Sequence, residues 1–281
     1  MMKKQGDFEY GPIQLVIFDW AGTTIDFGSC APVAAFMEGF RRKGVEVTVE
    51  QARGPMGMGK RDHIKAMSQM APVAAAWRAV HGRGITEQDI DEMYNEFAPV
   101  LLDILPDYCQ LIAGVVEAVN ELRQLGCKIG GTTGYFEEAM QICQQEAAKQ
   151  GYRPDCSLAA TQVPAGRPAP WLIFETMQRL NVFPPSVVVK VGDTIPDIEA
   201  GHNADVWTIG IARTGNGVGL SEQEFARLTE HEQQALVEQA RQTLADANAH
   251  FVVDSVADVP DVVAQINSYL ARGERPTRMT G

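Results

Sequence analysis

Three polar endings stand out along the chain. The run "LVIFD" ends on Asp19 and continues into "WAGTT", "KIGGTT" ends on Thr132 and Thr133, and "VVVKVGD" ends on Gly192 and Asp193, with Asp197 one helical turn further on. Carboxylates gathered at one edge can hold a hydrated divalent cation or attack an electrophile, and a hydroxyl beside them can donate to an anion. Taken singly, each is an ordinary loop-capping Asp or Thr, and Asp197 an ordinary first-turn acid complementing a helix dipole. At the ends of neighbouring strands, two acids and a hydroxyl are hard to read as coincidence. Two places after Asp19, where a second acid could act as a proton donor, the chain has Ala21.

Two basic groups could serve an anionic or carbonyl ligand. In "RGPMGMGKRDHIKAM", a helix beginning near Gly59 puts Lys60 and His63 three apart on one face. By type and spacing alone, a solvated surface pair remains open. Arg167 sits in "AGRPAP", a loop stiffened by Pro164, Pro168 and Pro170, where an exposed salt bridge is the competing reading.

The elements that would position these residues follow from hydrophobic patterning. Short apolar runs bounded by turns predict buried parallel strands over residues 14–18, 128–132, 186–191 and 206–211, with a fifth at "FVVD" from Phe251. Helical patterns lie between the later ones, over 137–149 closing at Gly151, over 171–180, and after Pro196 closing at Gly201. The implied fold is α/β, an open parallel Rossmann-like sheet with helices on both faces. Ligands in such sheets bind beyond the carboxyl ends of the strands. Between the first strand and "GCKIGGTTGY", only helical periodicity appears. Residues 28–105 are therefore expected to form an all-helical cap joined by two crossings to a core of 1–27 and 106–281, an arrangement suited to hinging. The Glu- and Gln-rich stretch from Ser221 to His250 predicts a solvated helix pair on the core, and the final "ARGERPTRMTG" a frayed end.

Composition narrows the classes. A chain of 281 residues suits one core with an insertion, and 45% hydrophobic residues suffice for it. A net charge of −12 without a run of Lys or Arg argues against nucleic acid or an anionic membrane as partner. The start, "MMKKQGDFEYGP", has no apolar stretch behind its lysines, so neither a signal peptide nor a membrane anchor is expected. Five scattered cysteines without metal spacing suit free thiols in a reducing cytoplasm.

The stretches "FDWAGTT", "GGTTGY", "GRPAPW" and "VGDTIPD", in that order and approximate spacing, resemble the motifs of the haloacid dehalogenase superfamily of phosphotransfer enzymes. More narrowly, from about Leu15 to its end, cap included, the chain resembles the phosphonatase family, which hydrolyses phosphonoacetaldehyde. That resemblance implies Asp19 as nucleophile, an aspartyl-phosphate intermediate and a magnesium ion held by Asp19, Asp193 and the Ala21 carbonyl, with Asp197 supporting the shell. It implies Thr133 and Arg167 as binders of the phosphoryl group, and Lys60 as the amine that forms a Schiff base with the aldehyde. Tyr135 matches a substrate-site position, and His63 could shuttle protons during imine formation. For Lys60 to be neutral part of the time near pH 7, its pKa must be lowered, and Met56 and Gly57 could line the apolar wall that does so. Ser29 and Cys30 fall at the hinge without an assigned role. A homodimer joined through cap helices is implied by likeness alone.

Under this reading the missing acid makes sense. Ester phosphatases need a proton donor for the leaving alkoxide, which Ala21 cannot supply. A carbon leaving group stabilised by conjugation into a protonated imine needs none. The competing readings are a capped phosphatase of small esters, which would want an acid at position 21, and a dehalogenase, which would not need Asp193 and Asp197. A fold kept only for binding or regulation is a further one, weighed against by intact Asp19, Thr133, Arg167 and Asp193.

Overall fold

The computed structural model describes residues 11–56 and 58–276. Six strands form one parallel sheet: β1 (Leu15–Asp19), β2 (Lys128–Thr133), β3 (Cys156–Ala159), β4 (Val188–Gly192), β5 (Trp207–Ile211) and β6 (Phe251–Val253). Their spatial order is β3-β2-β1-β4-β5-β6. The central strands β1, β4 and β5 are buried along their whole length, which is why they read as unbroken apolar runs rather than alternating ones. Asp19 lies opposite Thr132, and Phe18 opposite Val191, so the acids and hydroxyls that follow emerge at one edge.

Five helices follow β1 before the chain returns to the sheet: α1 (Cys30–Arg42), α2 (Val49–Arg53), α3 (Lys60–Gln69), α4 (Ala71–His81) and α5 (Glu87–Ile104). They form the inserted helical cap, with a core of Phe36, Phe40, Met67, Trp77, Met93, Phe97 and Leu101. Burying each of these large side chains contributes roughly 1.5–3 kcal/mol. The two crossings between cap and sheet run side by side, Asp26 N donating to Gln110 O at 3.2 Å and Ile112 N to Thr24 O at 3.0 Å. The Asp26 carboxylate accepts from Cys30 N at 3.0 Å and Ala31 N at 2.9 Å, supplying the cap of α1 that Ser29 does not.

The remaining helices flank the sheet: α6 (Val115–Gln124), α7 (Glu137–Lys149), α8 (Trp171–Arg179), α9 (Ile195–Asn203), α10 (Glu222–Ala226), α11 (Glu230–Asp246) and α12 (Val259–Ala271). The expected late helix pair is α10 and α11, seated through Phe225 and Ala240. Three details depart from the sequence-based expectations. β3 has no counterpart among them, because this short edge strand is half-buried at Cys156 and Ser157 and carries no β-branched residue. β4 starts at Val188 rather than 186, since Pro185–Val187 forms a 3-10 turn, and α9 runs past Gly201 to Asn203. Parts of the N-terminal and C-terminal segments read in the sequence, and Gly57, lie outside the described residues.

Candidate active site

A cleft with an empty volume of about 440 Å³ opens between the carboxyl edge of the sheet and the cap. Asp19 and Thr133 enter it from the ends of β1 and β2, Ala21 and Tyr135 from the turns that follow those strands, Arg167 and Thr194 from core loops, and Met56 and Lys60 from the cap. Seven of the expected positions thus line one space, and Thr194 joins them. Gly57, expected in the same wall, is outside the described residues.

On the core side, three buried carboxylates crowd together. Asp19, Asp193 and Asp197 each offer an oxygen within 4.8 Å of the others. Asp193 is held by Thr23 Oγ1, which donates to Oδ1 at 3.1 Å, and by Asn216 N, which donates to Oδ2 at 2.7 Å. Burial and the charges of Asp19 and Asp197 push its carboxyl up to about 8. Burial likewise raises Asp19, against the opposing pull of Arg167. Such crowding costs free energy that a hard divalent cation relieves, and an all-oxygen set of buried carboxylates fits magnesium chemistry. Gly22 makes this packing possible: its φ is +79°, and a Cβ there would lie 2.3 Å from Asp193 Oδ2.

Asp197 is differently placed. Lys190, buried in the middle of β4, brings Nζ to 2.6 Å from Asp197 Oδ1, Arg167 NH1 pairs with the same oxygen, and Thr194 Oγ1 donates to Oδ2 at 2.5 Å. Burial opposes the charge on Asp197, but Arg167 and Lys190 outweigh it and hold its carboxyl down at about 2. Its oxygens are therefore occupied in orienting Arg167, whose NH1 also lies 2.9 Å from Asp19 Oδ2. Burial opposes the guanidinium charge as well, and Asp19 and Asp197 more than restore it, so Arg167 is a permanent cation beside the carboxylate. Thr133 Oγ1 accepts from Tyr135 N at 3.1 Å, leaving its hydroxyl proton free to donate into the cleft.

On the cap side, Lys60 is half-buried as a residue, yet its ammonium turns inward over aromatic rings. Nζ lies 5.6 Å from the Phe36 centroid, 6.0 Å from Phe97 and 5.6 Å from Tyr135. Burial, then the Arg167 charge, lower its pKa to about 8, with Asp19 opposing. His63 shares its helix face but does not line the cleft. It is fully buried, stacked 3.7 Å from Phe36, with Nε2 2.8 Å from Ala52 O and Nδ1 without a partner. Burial and the Lys60 charge push it down to about 3, so the neutral ring donates Nε2–H to the carbonyl. It braces Phe36 and the first turn of α3 from behind.

Several residues of the site went unassigned from sequence. Lys190 had a signal, a charge in the centre of an apolar strand; Thr23 follows Gly22 in an ordinary-looking turn. Asn216, in "TGNGVG", resembles any polar loop. Ser29, left without a role, lies in the cleft wall with Pro32 and Met58.

Comparison with known proteins is consistent with this geometry. A profile of the haloacid dehalogenase-like hydrolases matches residues 13–205. The chain is similar to a phosphonoacetaldehyde hydrolase-like protein of Syntrophobacter fumaroxidans, with 44% identity over 95% of this chain and 96% of the relative. It is similar to the phosphonoacetaldehyde hydrolase of Bacillus cereus strain G9842, with 43% identity over 90% of this chain and 96% of that one. Among solved structures, a phosphonoacetaldehyde hydrolase-like protein from Oleispira antarctica superposes with a TM-score of 0.92 at 43% identity, over 98% of this chain and 100% of that one.

Proposed function

The chain belongs to the haloacid dehalogenase-like hydrolases and, within them, to the phosphonoacetaldehyde hydrolase family, and on that premise we propose that it cleaves the carbon–phosphorus bond of phosphonoacetaldehyde through a Lys60 Schiff base and an Asp19 aspartyl-phosphate. The observation that carries the mechanism is that Lys60 of the cap and Asp19 of the sheet edge line one cleft, with Arg167 beside them.

The Lys60 amine, its pKa lowered to about 8, adds to the aldehyde and loses water to give a protonated imine. Arg167 and the Thr133 hydroxyl hold phosphoryl oxygens, and Asp197 with Lys190 keeps the guanidinium aimed. Asp19 then attacks phosphorus. The electron pair of the carbon–phosphorus bond flows into the iminium and leaves as an enamine, so no proton need reach a leaving oxygen and Ala21 can stand where an acid otherwise would. Water hydrolyses the aspartyl-phosphate to phosphate; the enamine takes a proton at carbon, and hydrolysis of the resulting imine frees acetaldehyde and Lys60. A magnesium ion held by Asp19, Asp193 and the Ala21 carbonyl would neutralise charge between carboxylate and phosphoryl group. Tyr135 and Met56 are assigned to the wall that keeps water from the amine. His63, expected to shuttle protons, is better suited to bracing Phe36 and α3, since its Nε2–H is committed to Ala52.

The domain division proposed is a cap of residues 28–105 inserted into a core of 1–27 and 106–281. The cysteines are free thiols, which supports a reducing, cytoplasmic setting, and no helix among the described residues is long and apolar enough to cross a membrane. A homodimer is proposed on the resemblance, through cap helices that expose Val80 and Tyr94.

Borohydride added with phosphonoacetaldehyde should inactivate the protein and leave a reduced adduct on Lys60 alone, read by peptide mass spectrometry. No adduct, or one on another lysine, would sink the Schiff-base assignment.

A further inference from the structure

Arg53 closes α2, in the cap, and its side chain reaches from there across the first crossing to a core loop. NH1 donates to Gly28 O at 2.8 Å and, more weakly, to Ser29 O at 3.4 Å, both on the first crossing. The same nitrogen donates to Asn216 Oδ1 at 3.1 Å, on the loop after β5, and NH2 points to Cys30 Sγ at 3.5 Å. Asn216 N is the donor to Asp193 Oδ2. One guanidinium therefore ties a cap helix, the hinge strand and the loop that fixes a candidate metal-binding carboxylate.

The seat is shaped for it. Gly219, with φ +69°, lies so close that a Cβ would sit 2.9 Å from Arg53 Nε. The crossing is fastened to the same loop, Gly28 N donating to Thr214 O at 2.7 Å and Thr214 Oγ1 to Gly22 O at 2.8 Å. A fork of five donors reaches four acceptors at once, more than the three N–H groups of a lysine could serve. Arg53 Nε is nevertheless buried without an acceptor. An unsatisfied buried donor is costly, so the contact is one that water can readily replace when cap and loop separate.

We infer that Arg53 is a positioning residue that latches the cap to the Asn216 loop, so that closing the cleft over Lys60 also fixes Asp193. The inference deepens the catalytic reading above and rests on it for the meaning of the closed cleft. Opening the cap breaks the Arg53–Asn216 contact and loosens the donor to Asp193; closing restores both.

Cys30 is a natural reporter, half-buried under Arg53, and Cys156 on the edge strand β3 is a half-buried reference. The test measures alkylation rates of the two thiols by peptide mass spectrometry in the full chain, without turnover, so it stands whatever the substrate proves to be. Arg53→Met and Asn216→Ala should each speed labelling of Cys30 on the order of tenfold while Cys156 keeps its rate, and Arg53→Lys should fall between. In the wild type, magnesium with inorganic phosphate should slow Cys30 labelling further, and in both weakened variants much less. Because Asn216→Ala leaves Arg53 over the thiol, a rise in Arg53→Met alone means local unmasking and overturns the latch. A parallel rise at Cys30 and Cys156 means general loosening and overturns it equally.

Discussion

Lys190 Nζ lies 2.6 Å from Asp197 Oδ1, both side chains almost wholly buried, and the oxygen it holds is the one that pairs with Arg167. A cation on the inner side of the sheet edge thus sets the aim of a cation facing substrate. Without Lys190, Asp197 would be anchored through Arg167 and Thr194 alone, and three buried acids would face one cation fewer.

Lys190→Met tests that arrangement with a stem of similar volume. Breaking a buried pair from one side costs about 3–5 kcal/mol, so the melting temperature should fall by on the order of 10 °C. KM for phosphonoacetaldehyde and the inhibition constant for phosphate should both rise, because Arg167 loses its fixed direction. Wild-type phosphate inhibition in a folded variant would remove Lys190 from the positioning role.

The pKa of Lys60 gives a signed pH dependence. With the amine lowered to about 8 by burial and Arg167, Schiff-base trapping by borohydride should climb with pH and level off above 8. The stability effect has its own sign. The unfolded lysine keeps its proton up to an ordinary pKa near 10.4, so between pH 8 and that value the unfolded chain binds the extra proton and stability rises with pH. Lys60→Met should therefore abolish phosphate release yet raise the melting temperature at pH 7, by an increment that shrinks at pH 9.5. Equal increments at both pH values would place the ammonium in water.

For His63, the expectation is silence. Pushed down to about 3 and donating Nε2–H to Ala52 O, it should stay neutral from pH 5 to 9 in nitrogen-detected NMR, in the Nε2–H tautomer. A titration between pH 6 and 8 would return it to the role of proton shuttle.

How much of this was visible in sequence depends on what each residue answers to. Asp19, Thr133 and Asp193 close apolar strands, so strand patterning and their meeting at one edge were legible together. The cap was legible because its helices bury Phe36, Met67, Trp77 and Phe97 at helical spacing. β3 was not, because its pairing with β2 from Gly130 to Thr133 is imposed by the sheet and owes little to its own small residues. Lys60 and His63 share a helix face, but only tertiary packing turns the first into the cleft and the second behind Phe36. Arg53 and Asn216 lie 163 positions apart, and no local pattern announces a contact of that range.

Gly22 supplies the last prediction, and it bears on metal binding without passing through the substrate. A Cβ at this position meets Asp193 Oδ2 at 2.3 Å, and the φ of +79° adds strain of roughly 1–2 kcal/mol for any L side chain. Gly22→Ala should keep the fold with a modestly lower melting temperature, because the displaced group is one carboxylate at the cleft and not the core. Asp193 must swing away from Thr23 and Asn216, the two donors that aim it. Losing the partners that orient a ligand costs about 10- to 100-fold in metal affinity, so calorimetry should show magnesium binding weakened by that factor. Thr23→Val, which removes one donor and leaves the backbone alone, should give a smaller loss in the same direction. Wild-type magnesium affinity in Gly22→Ala would mean that Asp193 is not the ligand the crowded carboxylates suggest.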